Sequence, residues 1–388
     1  FHNKNLNRVT NPTSSRMKKY LFLLLMTSIL ARLSAQTYTQ FIVVDQFGYL
    51  PDAPKVAVIR NPVTGFDSQE SYTPGSHFAL VDAKNKSHVF TGTPVAWKNG
   101  NTDTSSGDQV WWFDFSEVSE VGRYYVLDID NNTRSFEFRI SPSVYNEVLK
   151  HAVRTFFYQR VGFTKEQPYA EKGWIHGASH LGPLQDTQAR LYNAPGNPAT
   201  QRDVSGGWYD AGDYNKYTNW TADYVIGMMY AYIENPHVWT DDFNIPESGN
   251  GTPDLLDEAK WGLDHLLRLQ NSNGSVLSVV GLAHASPPSA ATGQSLYGPP
   301  STSATLTAAG AYAIASVVYK TIGKNDFAQV LKEAAIKAWD WADANPNVLF
   351  RNNDPNPPYN SKNLASGQQE VDDYGRLTKK IQAACFLF

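Results

Sequence analysis

Residues 206–217 read Gly-Gly-Trp-Tyr-Asp-Ala-Gly-Asp-Tyr-Asn-Lys-Tyr, and this stretch decides how the rest of the chain is interpreted. Two carboxylates, Asp210 and Asp213, are separated by two small residues and flanked by aromatic side chains. Gly207 and Gly212 tolerate backbone angles that other residues avoid, which predicts a tight and unusual loop. The small residues between the acids would let a ligand approach the backbone.

The residue types in this stretch suit the cleavage of a sugar polymer. Four rings, those of Trp208, Tyr209, Tyr214 and Tyr217, offer flat faces of the kind that stack on sugars. A carboxylate that accepts a proton from water is one half of a glycosidase, and a carboxylic acid across the cleft is the other half. A short Asp-x-x-Asp pattern with glycines also occurs in turns and at helix caps, so the spacing alone leaves both interpretations open.

The stretch resembles the signature of glycoside hydrolase family 9, the inverting cellulases. That signature reads Gly-Gly-Trp-x-Asp-Ala-Gly-Asp and continues with aromatic and basic residues, as residues 206–217 do. The resemblance implies that Asp213 is the general base that deprotonates the attacking water. It also implies that Asp210 helps to hold this water.

A second resemblance to the family lies at residues 245–259, which read Ile-Pro-Glu-Ser-Gly-Asn-Gly-Thr-Pro-Asp-Leu-Leu-Asp-Glu-Ala. These residues match the loop and the helix that follow the aspartate signature in the family. We interpret Glu247 and Asp254 as capping and loop-ordering groups near a helix N-terminus.

Residues 141–388 carry the periodicity of helices. The pattern predicts about six of them, one beginning at Ser141-Pro142 and the others at residues 221–234, 253–270, 303–322, 326–344 and 377–388. The family's fold is an (α/α)6 barrel of twelve helices. The resemblance therefore implies that residues 141–388 are a partial (α/α)6 barrel, the first half of the catalytic domain.

The chain ends on an apolar helical run, residues 383–388, without a cap or a charge. Because a native terminus should not leave such a face uncovered, we expect a C-terminally truncated fragment. The family's general acid, a glutamate near the end of a complete domain, cannot be placed in this sequence. We therefore expect the fragment to be inactive alone.

Residues 36–140 read as an all-β domain. Its β-branched and aromatic runs are separated by turn signals and lie at residues 56–59, 78–81, 110–113 and 124–127. This pattern predicts an antiparallel sandwich, and it resembles the immunoglobulin-like module that precedes the catalytic domain in some family 9 enzymes. Residues 114–125 resemble the closing hairpin of that module. We favour a packing role over sugar binding for this domain.

The chain opens with two segments outside these domains. Residues 1–16 lack an initiator Met, and we interpret them as an upstream non-native segment. Residues 17–35 combine a charged start, a short apolar run and small residues, which predicts a signal peptide cleaved after Ala35. An uncleaved anchor is the alternative, but the apolar run is short for a bilayer. We expect a secreted protein, periplasmic or extracellular, without stable membrane insertion.

Composition limits the partners and the cross-links of the protein. Lys and Arg number 33 against 37 Asp and Glu, so the net charge of −4 gives no reason to expect a nucleic-acid partner. The single cysteine, Cys385, excludes an intrachain disulfide. We expect a β-glucan polysaccharide as the substrate and a monomer when the protein is full length.

Two metal sites follow from the resemblance and are weighed against these residues. Many relatives bind zinc through two Cys and two His, but the corresponding positions here are Val161, Ser179, His180 and Tyr209, so zinc is not expected. Relatives often carry calcium near the acids at residues 370–373. A solvated helix start explains these acids as well. No cofactor is required, and a structural calcium is left open.

The sequence thus predicts a secreted glycoside hydrolase that cleaves β-1,4-glucosidic bonds in cellulose or related β-glucans by single-displacement inversion. The catalytic residues are Asp213 and Asp210, and the substrate-binding residues are Trp208, Tyr209 and Tyr214. The alternative is a secreted, non-catalytic carbohydrate-binding protein. The paired aspartates favour the enzyme, because binding alone does not need them.

Overall fold

The computed structural model describes residues 36–388 and divides the chain into two compact units, with the division between Val148 and Leu149. The predicted upstream segment and signal peptide, residues 1–35, lie outside the described residues. Within residues 36–388, every helix is too short or too polar to cross a membrane.

The first unit is built from two β-sheets. One has the strand order β1-β9-β8-β4-β5, with β10 also paired to β8, and the other has the order β2-β3-β7-β6. The strands are β1 Thr37–Tyr38, β2 Ile42–Val43, β3 Val56–Pro62, β4 Phe78–Asp82, β5 His88–Gly92, β6 Val95–Ala96, β7 Asp108–Asp114, β8 Gly122–Asp128, β9 Thr133–Arg134 and β10 Phe138–Ile140.

The two sheets share one core, as a β-sandwich requires. Ile59 and Phe113 from one sheet lie in the same buried cluster as Leu80 and Val126 from the other. Successive side chains of a strand point to opposite faces, so alternate residues supply this core. The predicted sandwich is confirmed, and the four predicted runs fall within β3, β4, β7 and β8.

The hairpin predicted at residues 114–125 is wrong. Strand β7 pairs with β3 and β6, whereas β8 pairs with β4, β9 and β10. The turn between β7 and β8 therefore carries the chain from one sheet to the other. Sequence pattern alone identifies two neighbouring strands, but it does not show whether they hydrogen-bond to each other.

The second unit is mainly helical. The described residues contain six α-helices: α1 Asn146–Gln159, α2 Thr218–Glu234, α3 Asp254–Leu269, α4 Thr302–Thr321, α5 Asn325–Ala344 and α6 Asp373–Leu387. This confirms the predicted number of helices in the described residues. Helix α6 begins four residues before the predicted start, because Asp372 caps it by accepting a hydrogen bond from Gly375 N–H over 2.8 Å. The half-barrel arrangement stays a prediction.

Helix α4 is the most buried helix of this unit. It packs against α2, α5 and α6, and small Ala, Ser and Thr side chains over most of its length allow close approach. A small sheet of order β11-β14-β13-β12 lies in the same unit. Its strands are β11 Arg190–Leu191, β12 Lys216–Tyr217, β13 Val279–Gly281 and β14 Leu296–Tyr297.

Candidate active site

The aspartate stretch forms a loop that is closed by its own backbone and anchored in the small sheet. Asp210 N–H donates a hydrogen bond to Asn215 O over 3.0 Å. Lys216 and Tyr217, the last residues of the stretch, form β12, which pairs with β13 and leads directly into α2. At the tip between the two aspartates, Ala211 and Gly212 are exposed. The tip of the loop is thus exposed to solvent, while the end of the loop is anchored in the sheet.

The glycines of the stretch differ in what they contribute. Gly207 has a φ of 75°, and a Cβ at this position would lie 2.5 Å from the His265 ring. A larger residue would therefore clash as well as strain the backbone. Gly212 does not have a positive φ, so the special backbone role predicted for it is wrong. The left-handed residue at the tip is Tyr214, whose φ is 59°.

A buried ion pair between Lys216 and Asp186 anchors the loop. The Lys216 ammonium donates to Asp186 Oδ2 over 2.6 Å and to the carbonyl oxygens of Val204 and Gly206 over 2.7 and 2.9 Å. Both charged side chains are buried. Because a buried charge without its partner is costly, this pair fixes the start of the loop relative to its end.

Asp210 and Asp213 are both partly exposed, and each is held by one tyrosine hydroxyl. Tyr224, on α2, donates to Asp210 Oδ1 over 2.8 Å, and Tyr217 donates to Asp213 Oδ2 over 3.1 Å. Burial raises the pKa of Asp210; the Tyr224 hydrogen bond opposes this rise, and the nearby Asp213 charge adds to it. Each carboxylate keeps a second oxygen that can bind a water molecule or accept its proton.

Two supporting residues were not predicted from the sequence. Tyr224 lies on a helix recognised by its periodicity, but that pattern does not separate a tyrosine that binds an aspartate from one that fills the core. Lys216 reads as an ordinary basic residue of the motif. Only the structure shows that it is buried against Asp186, which lies 30 residues earlier.

The sugar-stacking role predicted for Trp208, Tyr209 and Tyr217 does not fit their positions. Trp208 is 2% exposed, Tyr209 is 3% exposed and Tyr217 is 1% exposed, so none of these rings has a face free for a ligand. The indole nitrogen of Trp208 donates to Glu258 Oε1 over 2.8 Å. The Tyr209 hydroxyl bonds to Ser179. Both rings therefore serve the core that supports the loop.

Tyr214 is the most exposed of the predicted sugar-stacking rings. Its ring is partly exposed, stacks on the exposed His284 ring at 5.3 Å and 21°, and lies 4.8 Å from the Tyr209 ring. His284 precedes a loop that Gln185 holds by donating to Ala291 O over 2.7 Å. This stacked pair, directly after Asp213 in the chain, is the aromatic surface that a sugar could contact.

A buried network joins Trp208 to the second resemblance. Arg160 forms two-pronged ion pairs with Glu258 and with Glu247, with nitrogen–oxygen distances of 2.9 Å to each. Arg160 and Glu258 are both fully buried. Glu247 is thus a loop-ordering group, as the sequence analysis expects. Helix α3 begins after Pro253, whose side chain makes no cap.

The four positions that correspond to zinc ligands in relatives do not form a zinc site. Val161 offers no donor atom, and the hydroxyls of Ser179 and Tyr209 bond to each other. His180 is buried and uses Nε2 on Ala283 O over 2.8 Å, while its Nδ1 has no partner among the described residues. One imidazole is too few for a tetrahedral zinc site.

A different group of side chains suits a hard cation. Asp241, Asp254 and Asp257 place carboxylate oxygens within 4.8 Å of one another. Asp254 is fully buried, and its Oδ1 has no hydrogen-bond partner among the described residues. Burial, with the nearby acidic charges adding to its effect, raises the pKa of Asp257 to about 7. Carboxylate oxygens are the ligands that Ca²⁺ prefers, so this cluster fits it.

The acids at residues 370–373 are engaged otherwise. Asp372 caps α6, and Glu370 accepts a hydrogen bond from Phe350 N–H over 3.0 Å. Arg376 lies 3.8 Å from Glu370 and also bonds to Asp373. These contacts agree with a helix start rather than with a metal site.

Comparisons with known proteins match both units of the chain. The profile described as Glycosyl hydrolase family 9 matches residues 145–374. The profile described as Cellulase N-terminal ig-like domain matches residues 37–134.

Curated relatives and solved structures agree with these matches. A cellodextrinase of Butyrivibrio fibrisolvens is 29% identical over 89% of this chain and 58% of its own length. A xyloglucan-specific endo-beta-1,4-glucanase of Bacteroides ovatus is 33% identical over 58% of this chain and 36% of its own length. The crystal structure of a metagenome-derived family 9 endoglucanase, 30% identical, has a TM-score of 0.72 and covers 89% of this chain and 60% of its own.

The chain thus spans less than two thirds of the length of these relatives. The family match alone covers more than half of its residues, and it includes both aspartates and the tyrosines that hold them. The chain therefore belongs to glycosyl hydrolase family 9 and carries a cellulase-type N-terminal immunoglobulin-like domain.

Proposed function

We propose that this protein is a β-1,4-glucan hydrolase that acts by single displacement with inversion. One observation carries the proposal: two partly exposed aspartates lie at the tip of one loop, and each is held through a single oxygen by a tyrosine hydroxyl. A carbohydrate-binding surface has no need for two carboxylates fixed in this way. The named activities of the relatives, on cellodextrins and on xyloglucan, support a β-glucan substrate class.

In this proposal Asp213 is the general base. One of its oxygens takes a proton from water while that water attacks the anomeric carbon from the face opposite the leaving group. Asp210 holds the same water through the oxygen that Tyr224 leaves free. Burial raises the pKa of Asp210, so it is the weaker candidate for a carboxylate that must be ionised when water attacks.

Tyr214, with His284 stacked on it, would hold the sugar ring. The buried rings of Trp208 and Tyr209 are assigned to the support of the loop instead. Tyr214 is adjacent to Asp213, so a sugar stacked there would lie near the base.

Hydrolysis of an ordinary glucan also needs a carboxylic acid that protonates the leaving oxygen. We assign no described residue to this role, and we propose that the 388-residue chain alone supplies only the water-activating half. A substrate with a good leaving group does not need that proton. Such a substrate therefore tests the activation of water separately from the protonation of the leaving oxygen.

The decisive experiment compares β-cellobiosyl fluoride with cellotetraose, using the full chain. We expect hydrolysis of the fluoride, with α-cellobiose as the first product seen by proton NMR, and little hydrolysis of cellotetraose. Fast hydrolysis of cellotetraose would show that the chain also contains the acid. If β-cellobiose appears first, the single-displacement mechanism and the role of Asp213 are wrong.

The alternative function is a non-catalytic carbohydrate-binding protein. The exposed stacked pair of Tyr214 and His284 is the observation that favours it. Binding of cellotetraose without any release of fluoride from β-cellobiosyl fluoride would support this alternative over the enzyme.

Location and metal content complete the proposal. We propose that the protein is secreted and acts as a monomer, on the basis of the signal-peptide pattern in residues 17–35 and the polymeric substrate. We also propose that a structural calcium binds Asp241, Asp254 and Asp257, because the buried Asp254 Oδ1 lacks another partner among the described residues. Zinc is not required.

A further inference from the structure

The hydroxyl of Tyr217 makes three hydrogen bonds, and these join Asp213 to a distant segment of the chain. It lies 3.1 Å from Asp213 Oδ2. It also lies 3.0 Å from the backbone nitrogen of Ser366 and 2.7 Å from that of Gly367. The ring is 1% exposed and packs against Trp220 with centroids 4.2 Å apart.

The direction of these bonds follows from the chemistry of the partners. A phenol has one proton to donate and two lone pairs to accept with. Both backbone nitrogens are donors, so they occupy the two lone pairs. The single hydroxyl proton can then go only to the carboxylate of Asp213. The arrangement defines one orientation of the hydroxyl and satisfies it completely.

The segment that supplies the two N–H groups is itself held in place. Asn352 is fully buried and donates from Nδ2 to the carbonyl oxygen of Gly367. Asn353 donates to the carbonyl oxygen of Ser366 over 3.0 Å. A Cβ on Gly367 would lie 2.7 Å from the Trp220 ring and 3.4 Å from the Tyr217 hydroxyl oxygen, so a glycine allows this approach.

The two oxygens of Asp213 are bonded unequally. Oδ2 accepts from Tyr217, whereas Oδ1 has only a 3.4 Å contact with Asn215 N–H. Donation to one oxygen restrains the rotation of the carboxylate. The other oxygen, Oδ1, is then the one that accepts a proton.

We propose that Tyr217 is a positioning residue for the hydrolysis proposed above, and that the N–H groups of Ser366 and Gly367 fix the direction of its hydroxyl. The inference rests on the proposed function, since it assigns the reacting oxygen of its general base. In the reaction, water loses its proton to Asp213 Oδ1 as its oxygen bonds to the anomeric carbon, and the bond from that carbon to the leaving group breaks. With β-cellobiosyl fluoride, the fluoride ion leaves with the electron pair of the C–F bond. Tyr217 keeps its own proton throughout, so no second proton transfer is needed.

The test is Tyr217→Phe in the full chain, with β-cellobiosyl fluoride as the substrate. The variant keeps the ring and its packing but loses the donor. We expect kcat to fall about 10- to 100-fold, as for the loss of a hydrogen bond to a charged group, with KM changed less than about twofold. The acidic limb of the kcat/KM profile should move to higher pH, because a carboxylate without its donor is protonated more readily. A purely structural role would not move this limb.

Tyr312→Phe is the matched control. Tyr312 is fully buried, and its hydroxyl has no hydrogen-bond partner among the described residues, so the same deletion removes no bond to a carboxylate. We expect its kcat and its pH profile to match those of the unmodified protein. In a background of Asp213→Asn, Tyr217→Phe should cause no further loss of residual rate, because both changes act on the same interaction.

Gly367→Ala is a second variant that keeps the hydroxyl and disturbs only its support. The added methyl group must move away from Trp220, which draws the N–H group off Tyr217. We expect a smaller loss of kcat and a pH shift in the same direction. If the unmodified protein hydrolyses the fluoride and both variants keep its kcat and pH profile, this inference alone is overturned. If the unmodified protein releases no fluoride, the proposed function fails and the inference fails with it.

Discussion

The second unit contains two groups of carboxylates that differ in their exposure and in their hydrogen-bond partners. Asp210 and Asp213 are partly exposed, and each accepts a tyrosine hydroxyl on one of its two oxygens. Asp241, Asp254 and Asp257 crowd their oxygens within 4.8 Å of one another. In this second group, one fully buried oxygen has no partner among the described residues.

The two groups of carboxylates are suited to different ligands. Asp241 accepts hydrogen bonds from Gly249 and Gly251 N–H over 2.7 and 2.6 Å, and Asp257 accepts one from Asn250 over 3.0 Å. These donors are uncharged, so they stabilise the carboxylates without neutralising them. Neutral donors do not cancel three crowded negative charges, whereas a divalent cation does. In the first group each carboxylate is held by one phenol through one oxygen, and this arrangement is suited to water and a proton instead.

The largest expected effect comes from Asp213→Asn. The amide keeps the shape of the side chain but cannot accept the proton from water, so hydrolysis of β-cellobiosyl fluoride should fall by about 10²–10⁴. Sugar binding should stay nearly intact. Rate measurements, together with calorimetric titration of cellotetraose, check both statements. A variant that keeps its rate would remove Asp213 from the role of base.

Asp210→Asn should cost less. Its amide oxygen can still orient the water, so we expect a rate loss of about tenfold, below the range of about 10²–10⁴ for the loss of an acid–base group. The same fluoride assay, run beside Asp213→Asn, measures the ratio of the two losses. If Asp210→Asn proves the more damaging variant, the two aspartates have exchanged roles.

Local pattern predicted much of this architecture from the sequence. The β-branched and aromatic runs of β3 and β8 and the periodicity of α3 and α4 depend on near neighbours in the chain, and the structure confirms these elements. The paired aspartates are also contiguous in sequence, so the chemistry of the loop could be predicted before its geometry was known.

The rest could not be predicted, because it depends on residues far apart in the chain. Tyr217 meets Ser366 and Gly367 across about 150 residues, and Lys216 meets Asp186 across 30. Whether an aromatic ring stacks on sugar or fills the core depends on what packs over it. Trp208 shows this, because its predicted sugar face is covered and its indole nitrogen bonds to Glu258.

The smallest expected effect, and the sharpest test of the contrast between the two groups, comes from Asp257→Asn. Without divalent cations, in EDTA, the variant should melt a few degrees above the unmodified protein, because it removes one of three repelling charges from the folded state. With excess Ca²⁺ the order should reverse. A cation at 100 times its dissociation constant stabilises the folded state by about 2.7 kcal/mol, and the variant loses much of this gain.

Asp203→Asn, at an exposed aspartate outside the cluster, is the control and should leave both melting temperatures and the Ca²⁺ response unchanged. Equal responses of Asp257→Asn and the unmodified protein to Ca²⁺ would show that the cluster holds no cation. Its unpaired buried oxygen would then be a cost of the loop that the fold tolerates.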